Sequence, residues 1–213
     1  EEVSTGNWAF KSCLSGLYLT IDANGNAFQS AYTGSDNQLW ELSPVDVTDH
    51  TFETLVWAEE FDYTGLPDPT WWTFEQVFVN NEEQFYTIED PDNCYVDNGY
   101  CRITAIKERV RAQQYTSARI KTQGKAFWTY GKIEARIKVA GGTGTWPAFW
   151  MMPENYDDRT NPWPDCGEID IMEYVGYDPE HIYGSAHNKL YNGMEGTNHG
   201  AGVWPGSDPV SNW

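Results

Sequence analysis

The run Cys166-Gly-Glu-Ile-Asp-Ile-Met-Glu-Tyr174 sets acidic side chains between apolar ones at a spacing that an extended strand sorts onto two faces. Glu168 and Asp170, two residues apart, share one face, while Ile169 and Ile171 point the other way into a core. Strict alternation would send Glu173 to the wrong side. One extra residue at Ile171 or Met172, a β-bulge, returns it to the face of the other two acids, and bulges are frequent beside active sites. Three carboxylates on one face repel and raise at least one pKa unless a substrate or cation uses them. The plainer alternative is a solvated edge strand. Against it stand the large apolar partners and Trp146, Trp150 and Trp163 close by in the chain.

From Leu55 onward the chain reads as short strands separated by turn residues. They cover Leu55–Phe61, Gln84–Ile88, a hairpin within Asn93–Lys107, Tyr115–Thr122, Lys125–Tyr130, Lys132–Val139 and Thr145–Met152. Lys132, Glu134, Arg136 and Lys138 alternate cleanly with Ile133, Ala135, Ile137 and Val139. No helical period is evident. The class is therefore all-β, two stacked antiparallel sheets. Residues 1–51 read as a separate β-rich segment before a domain over 52–213. Its Gly16–Asp22 strand, Ala23–Asn26 turn and Gln38-Leu39-Trp40 resemble one repeat of a ricin-type β-trefoil; the alternative is a hairpin packed on the main domain. Asp22–Asn26 echoes a calcium loop, but its glycine falls too early and Thr33 stands where that loop needs Glu.

The net charge of −19 argues against a phosphate-backbone partner, since nucleic-acid binding begins with a basic patch. It also favours a neutral polymer over a sulfated or uronic one. Aromatic residues make up 15% of the chain, 11 of them Trp, a supply that suits flat sugar faces as well as β-sandwich cores. No apolar run is long enough to span a bilayer. His50, His181 and His199 lack metal-ligand spacing. A turn at Asp97-Asn98 would set Cys94 opposite Cys101, predicting a cross-strand disulfide and an oxidising, secreted setting.

Two carboxyls on one groove face are the minimum for breaking a glycosidic bond: one attacks the anomeric carbon, the other protonates the leaving oxygen. Asp170, between them, can orient the nucleophile and keep the two pKa values apart. The working state would hold Glu168 ionised and Glu173 protonated.

These residues carry a family resemblance. Glu168-Ile-Asp170-Ile-Met-Glu173 resembles the signature of glycoside hydrolase family 16. Leu55–Asp62, Asn80-Asn81-Glu-Glu-Gln84-Phe-Tyr-Thr87, Tyr130–Val139 and Trp146-Pro-Ala-Phe-Trp150 resemble that family in the same order. The resemblance covers residue 52 to the end. It implies a jelly-roll sandwich with a concave groove and a retaining mechanism, with Glu168 as nucleophile, Asp170 its assistant and Glu173 the acid/base. The spacing from Glu168 to Glu173 resembles the bulged, laminarinase-containing branch; lichenases of the regular-strand branch lack the extra residue. By similarity, endo-acting cleavage of β-1,3-glucan is the expected activity. Asn81, Arg136, Trp146, Trp150 and Trp163 would line the subsites, and His187 would sit near the acid/base. A non-catalytic β-glucan-binding protein on the same scaffold and an agarase-type galactan hydrolase are the alternatives. The resemblance implies no required cofactor; the structural calcium of many relatives has no assignable residues here. The family continues well past Ser211-Asn212-Trp213, so the domain over 52–213 would lack its C-terminal strands; a fragment, a second chain or segment completing the fold, and partial substitution by the first fifty residues are the three readings.

Overall fold

The computed structural model describes residues 54–157, 159–206 and 208–211, with Thr33 and the backbone of five short N-terminal strands. The chain divides into two compact units, Glu1–Thr54 and Leu55–Trp213. In the first, β1 (Glu2–Ser4), β2 (Asn7–Trp8) and β5 (Trp40–Glu41) form an antiparallel sheet in the order β1-β2-β5. β3 (Tyr18–Ile21) and β4 (Ala27–Ser30) form a separate antiparallel pair. The turn expected over 23–26, the calcium-loop echo and Gln38 lie outside the described residues.

In the second unit every regular element among the described residues is a strand. β8 (Cys94–Asp97) and β9 (Tyr100–Ile103) make a hairpin whose two-residue loop is Asn98-Gly99. Both loop residues have positive φ, 51° and 77°. That is the type I′ geometry matching strand twist, and Asn-Gly is its preferred pair. The expected turn one residue earlier is therefore corrected. Cys94 pairs with Ile103 and Cys101 with Val96, so the two cysteines are diagonal rather than opposite. They are free thiols with sulfurs 3.7 Å apart, not the expected disulfide. Cys94 and Val96 are fully buried, and burial of a valine side chain contributes roughly 1.5–3 kcal/mol relative to exposure. Beside them the buried Asn93 amide donates to Thr104 O and Thr116 Oγ1, both at 3.0 Å, and accepts from Thr87 Oγ1 at 2.8 Å. This buried polar group costs little because its bonds are made.

β6 (Thr73–Phe74) pairs antiparallel with β11 (Ile120–Lys121), and β7 (Gln84–Tyr86) pairs with β10 (Tyr115–Ser117). The β7–β10 pair is parallel, an exception to the expected antiparallel pattern that arises because the β8–β9 hairpin separates the two strands. Leu55–Phe61, Lys125–Tyr130 and Lys132–Val139 are not strands. A period-2 pattern makes a strand only when a neighbour supplies the ladder; Val139 N–H instead donates to Pro209 O at 3.1 Å.

The largest sheet runs β12 (Ala148–Met151), β13 (Glu168–Glu173), β14 (Ile182–His187) and β15 (His199–Val203), all antiparallel. Its register assigns side chains to faces, since directly paired residues share one. Trp150 pairs with Asp170, Phe149 with Met172 and Ala148 with Glu173, leaving Ile171 as the extra residue of a bulge. Across β14 the same count recurs: Asp170 faces Ser185 and Glu173 faces Tyr183. Glu168, Asp170 and Glu173 thus lie on one face. The opposite face carries Phe149, Met151, Ile169, Ile182 and Val203. Ile169, expected in a core, is 55% exposed, because no described residue covers it.

Candidate active site

The acid-bearing face is built from three strands. β13 supplies the acids, β12 contributes Trp150 beside Asp170, and β14 contributes Tyr183, Ser185 and His187. Trp146, two residues before β12, donates its indole N–H to Glu173 Oε1 at 2.8 Å. His187 pairs with Glu168 in register, and its Nε2 lies 2.9 Å from Asp170 Oδ2. Similarity pointed to the acid/base as its neighbour; the ring lies close enough to Glu173 to act on its charge, and the middle acid is its hydrogen-bond partner. Trp163, carried by the loop between β12 and β13, sets its ring 5.9 Å from that of His187.

Electrostatics follow from burial and crowding on the acid-bearing face. Burial pushes Glu168 up to about 7, with the charge of Asp170 and a hydrogen bond to it adding, and the Trp163 indole N–H opposing. That N–H is buried and does not reach hydrogen-bond geometry, so it acts as a partial positive charge directed at the carboxyl. Glu173 is also raised by burial, opposed by the Trp146 N–H. At rest, with no sugar bound, both acids are therefore raised rather than one alone. Both hold protons more tightly than free carboxyls, Glu168 strongly so.

Two other residues expected to line subsites are exposed and lie outside the regular strands. Asn81 is exposed in the turn before β7 with φ 54°, and no hydrogen bond ties it to the acids. Arg136 is exposed on the stretch 132–139, outside the sheets. Two residues not singled out from sequence do join the site. Arg119 stacks its guanidinium 4.7 Å above the Trp150 ring while its Nε donates to Glu75 Oε2 at 2.6 Å. Tyr183 stands directly across from Glu173, donates its hydroxyl to Asp178, and lies over Gly202, where a Cβ would come within 2.6 Å of the ring. Its alternation with Ser185 and His187 was the available signal; Arg119 had none beyond its spacing from Lys121. No group of three or more His, Cys, Asp or Glu among the described residues is placed to hold a metal ion.

Three carboxyls lie on one strand face, two of them raised and flanked by tryptophans, and a pair of such acids is what glycoside cleavage uses. The sequence profile of glycosyl hydrolases family 16 matches residues 81–211, which carry all three acids. The chain belongs to this family. Among its family 16 relatives, the beta-glucanase of Rhodothermus marinus is 45% identical over 152 residues, 70% of this chain and 53% of the relative. The glucan endo-1,3-beta-glucosidase of Cryptopygus antarcticus is 40% identical over 146 residues, 65% of this chain and 52% of the relative. The solved laminarinase of Rhodothermus marinus superposes with a TM-score of 0.70 at 42% identity, covering 74% of this chain and 64% of its own. The chain thus spans about half the length of these curated relatives. The family 16 fold is the all-β jelly-roll sandwich, and in this chain the four-stranded sheet carries the three acids.

Trp146 offers a clean electrostatic test. Trp146→Phe keeps an aromatic face but deletes the N–H that lowers Glu173. The limb of the kcat/KM profile belonging to Glu173 is expected to move to higher pH, with a smaller change in kcat at its optimum. An unmoved limb would show that the indole N–H does not tune this acid.

Proposed function

We propose that this chain is a retaining, endo-acting glycoside hydrolase of β-1,3-glucan. The observation that carries the reading is the bulge at Ile171, which sets Glu168, Asp170 and Glu173 on one face of β13. In the first step the Glu168 carboxylate bonds to the anomeric carbon as the bond to the leaving oxygen breaks, and Glu173 gives that oxygen its proton. In the second, water attacks the same carbon, Glu173 takes the water's proton, and Glu168 leaves as carboxylate. Asp170 orients Glu168, and Trp146, Trp150 and Trp163 offer ring faces to the sugars. The proposed reaction uses no cofactor.

The substrate rests on the names of the relatives, a beta-glucanase, a glucan endo-1,3-beta-glucosidase and a laminarinase, and on the strong negative charge, which disfavours a sulfated polymer. A polymeric substrate supports a secreted enzyme. Reducing-sugar release from laminarin, lichenan and agarose tests the reading. Release from laminarin is expected, with a mixture of oligosaccharide lengths early in the reaction. Binding of laminarin without release, or faster release from agarose, would overturn it.

A further inference from the structure

Both ring nitrogens of His187 are engaged, by partners of different kinds. Nδ1 accepts a hydrogen bond of 3.1 Å from the backbone N–H of Gly193, in the loop joining β14 to β15. A backbone amide can only donate, so Nδ1 presents its lone pair. The hydrogen of the neutral ring is then on Nε2, which donates to Asp170 Oδ2 at 2.9 Å. We infer that the Gly193 amide is a tautomer lock. It makes His187 a one-directional donor that occupies one oxygen of Asp170 and leaves the other to Glu168.

The loop is built to present that amide. Asn192, 2% exposed, donates from Nδ2 to Asn188 O at 3.2 Å and accepts at Oδ1 from Glu195 N–H at 3.2 Å. Its own N–H donates to Thr197 Oγ1 at 3.2 Å, and Thr197 N–H returns to Asn192 O at 3.0 Å. Gly193 therefore follows a buried, fully bonded residue, and its N–H is fixed relative to His187. A Cβ on Gly193 would meet His187 Cε1 at 3.5 Å, an ordinary contact. Alanine there keeps the donor; proline removes it. Gly193 and His187 act on the reaction through Asp170, as positioning residues, and this catalytic consequence rests on the hydrolase reading. The tautomer does not.

Nitrogen NMR of histidine-labelled protein, with His187 assigned through His187→Gln, reads the ring directly. Wild type and Gly193→Ala are expected to show an unprotonated Nδ1 and a protonated Nε2. Gly193→Pro is expected to show a mixture of tautomers, with kcat on laminarin lower by roughly ten- to a hundredfold and KM little changed. Should the proline variant not fold, hydrogen exchange decides: the Gly193 amide is protected in wild type and released in His187→Ala. A protonated Nδ1 in wild type, or an unprotected Gly193 amide, would overturn the lock. A wild type with the expected tautomer and no glucan hydrolysis would instead overturn the function and leave the lock standing.

Discussion

Glu168→Gln is expected to reduce laminarin hydrolysis by roughly 10⁴-fold or more, and at the same time to raise the thermal stability of the chain at neutral pH. The first effect follows because the amide cannot form the bond to the anomeric carbon, and both steps of the reaction pass through that bond. The second follows from the raised carboxyl. Glu168 goes from its ordinary 4.5 to about 7, so the folded state holds this proton more tightly than the unfolded state. The stability gained from that proton is present at low pH and is lost as pH rises from about 4.5 through about 7. Above that window the protein carries a half-buried charge beside Asp170. Gln removes it. Water still reaches the groove, which limits the gain to roughly 1–2 kcal/mol, or about 3–6 °C in Tm at pH 8. At pH 4, below both values, Glu168 is mostly protonated in both states, and the two proteins should melt nearly together. Scanning calorimetry at the two pH values checks this, and a variant less stable at pH 8 would contradict the raised carboxyl.

Glu173→Gln should separate the two steps instead of closing both. General acid help is worth about 10²–10⁴-fold, so hydrolysis of laminarin is expected to fall by that amount. A β-glucoside with a dinitrophenolate leaving group needs no proton on departure. Its first step should survive, giving a burst of phenolate followed by slow turnover, because the second step has lost its base. Added azide, which needs no base, should restore turnover and yield a β-glycosyl azide. Equal losses on both substrates, with no burst, would remove Glu173 from the role of acid/base.

The sequence made some of this legible and left the rest hidden for physical reasons. A bulge was required once Glu168, Asp170 and Glu173 were asked to share a face, and Ile171 is its extra residue. Alternation also marks the hairpin at 94–103, and its turn lies one residue later than the spacing suggests. Asn98 and Gly99 both take positive φ, which the Asn-Gly pair permits and Asp97-Asn98 does not favour. That single shift moved Cys101 from opposite Cys94 to a diagonal position, and the disulfide went with it. Lys132–Val139 shows the limit of periodicity: alternation marks which side chains seek cover, not whether a neighbouring strand supplies a ladder. His187 had a place in the motif, yet its partners, Asp170 and the Gly193 amide, depend on the register of β13 against β14 and on the path of a loop. Arg119 over Trp150 joins residues of β12 and the approach to β11, a contact that no local pattern encodes.

In the proposed mechanism Glu168 forms a covalent bond to the sugar. The most direct test is mass spectrometry of the chain after reaction with a laminaribiosyl fluoride carrying fluorine in place of the hydroxyl next to the anomeric carbon, which slows the second step. A single glycosyl adduct on the peptide bearing Glu168 is the expected result. An adduct on Glu173, or none from a chain that hydrolyses laminarin, would contradict it.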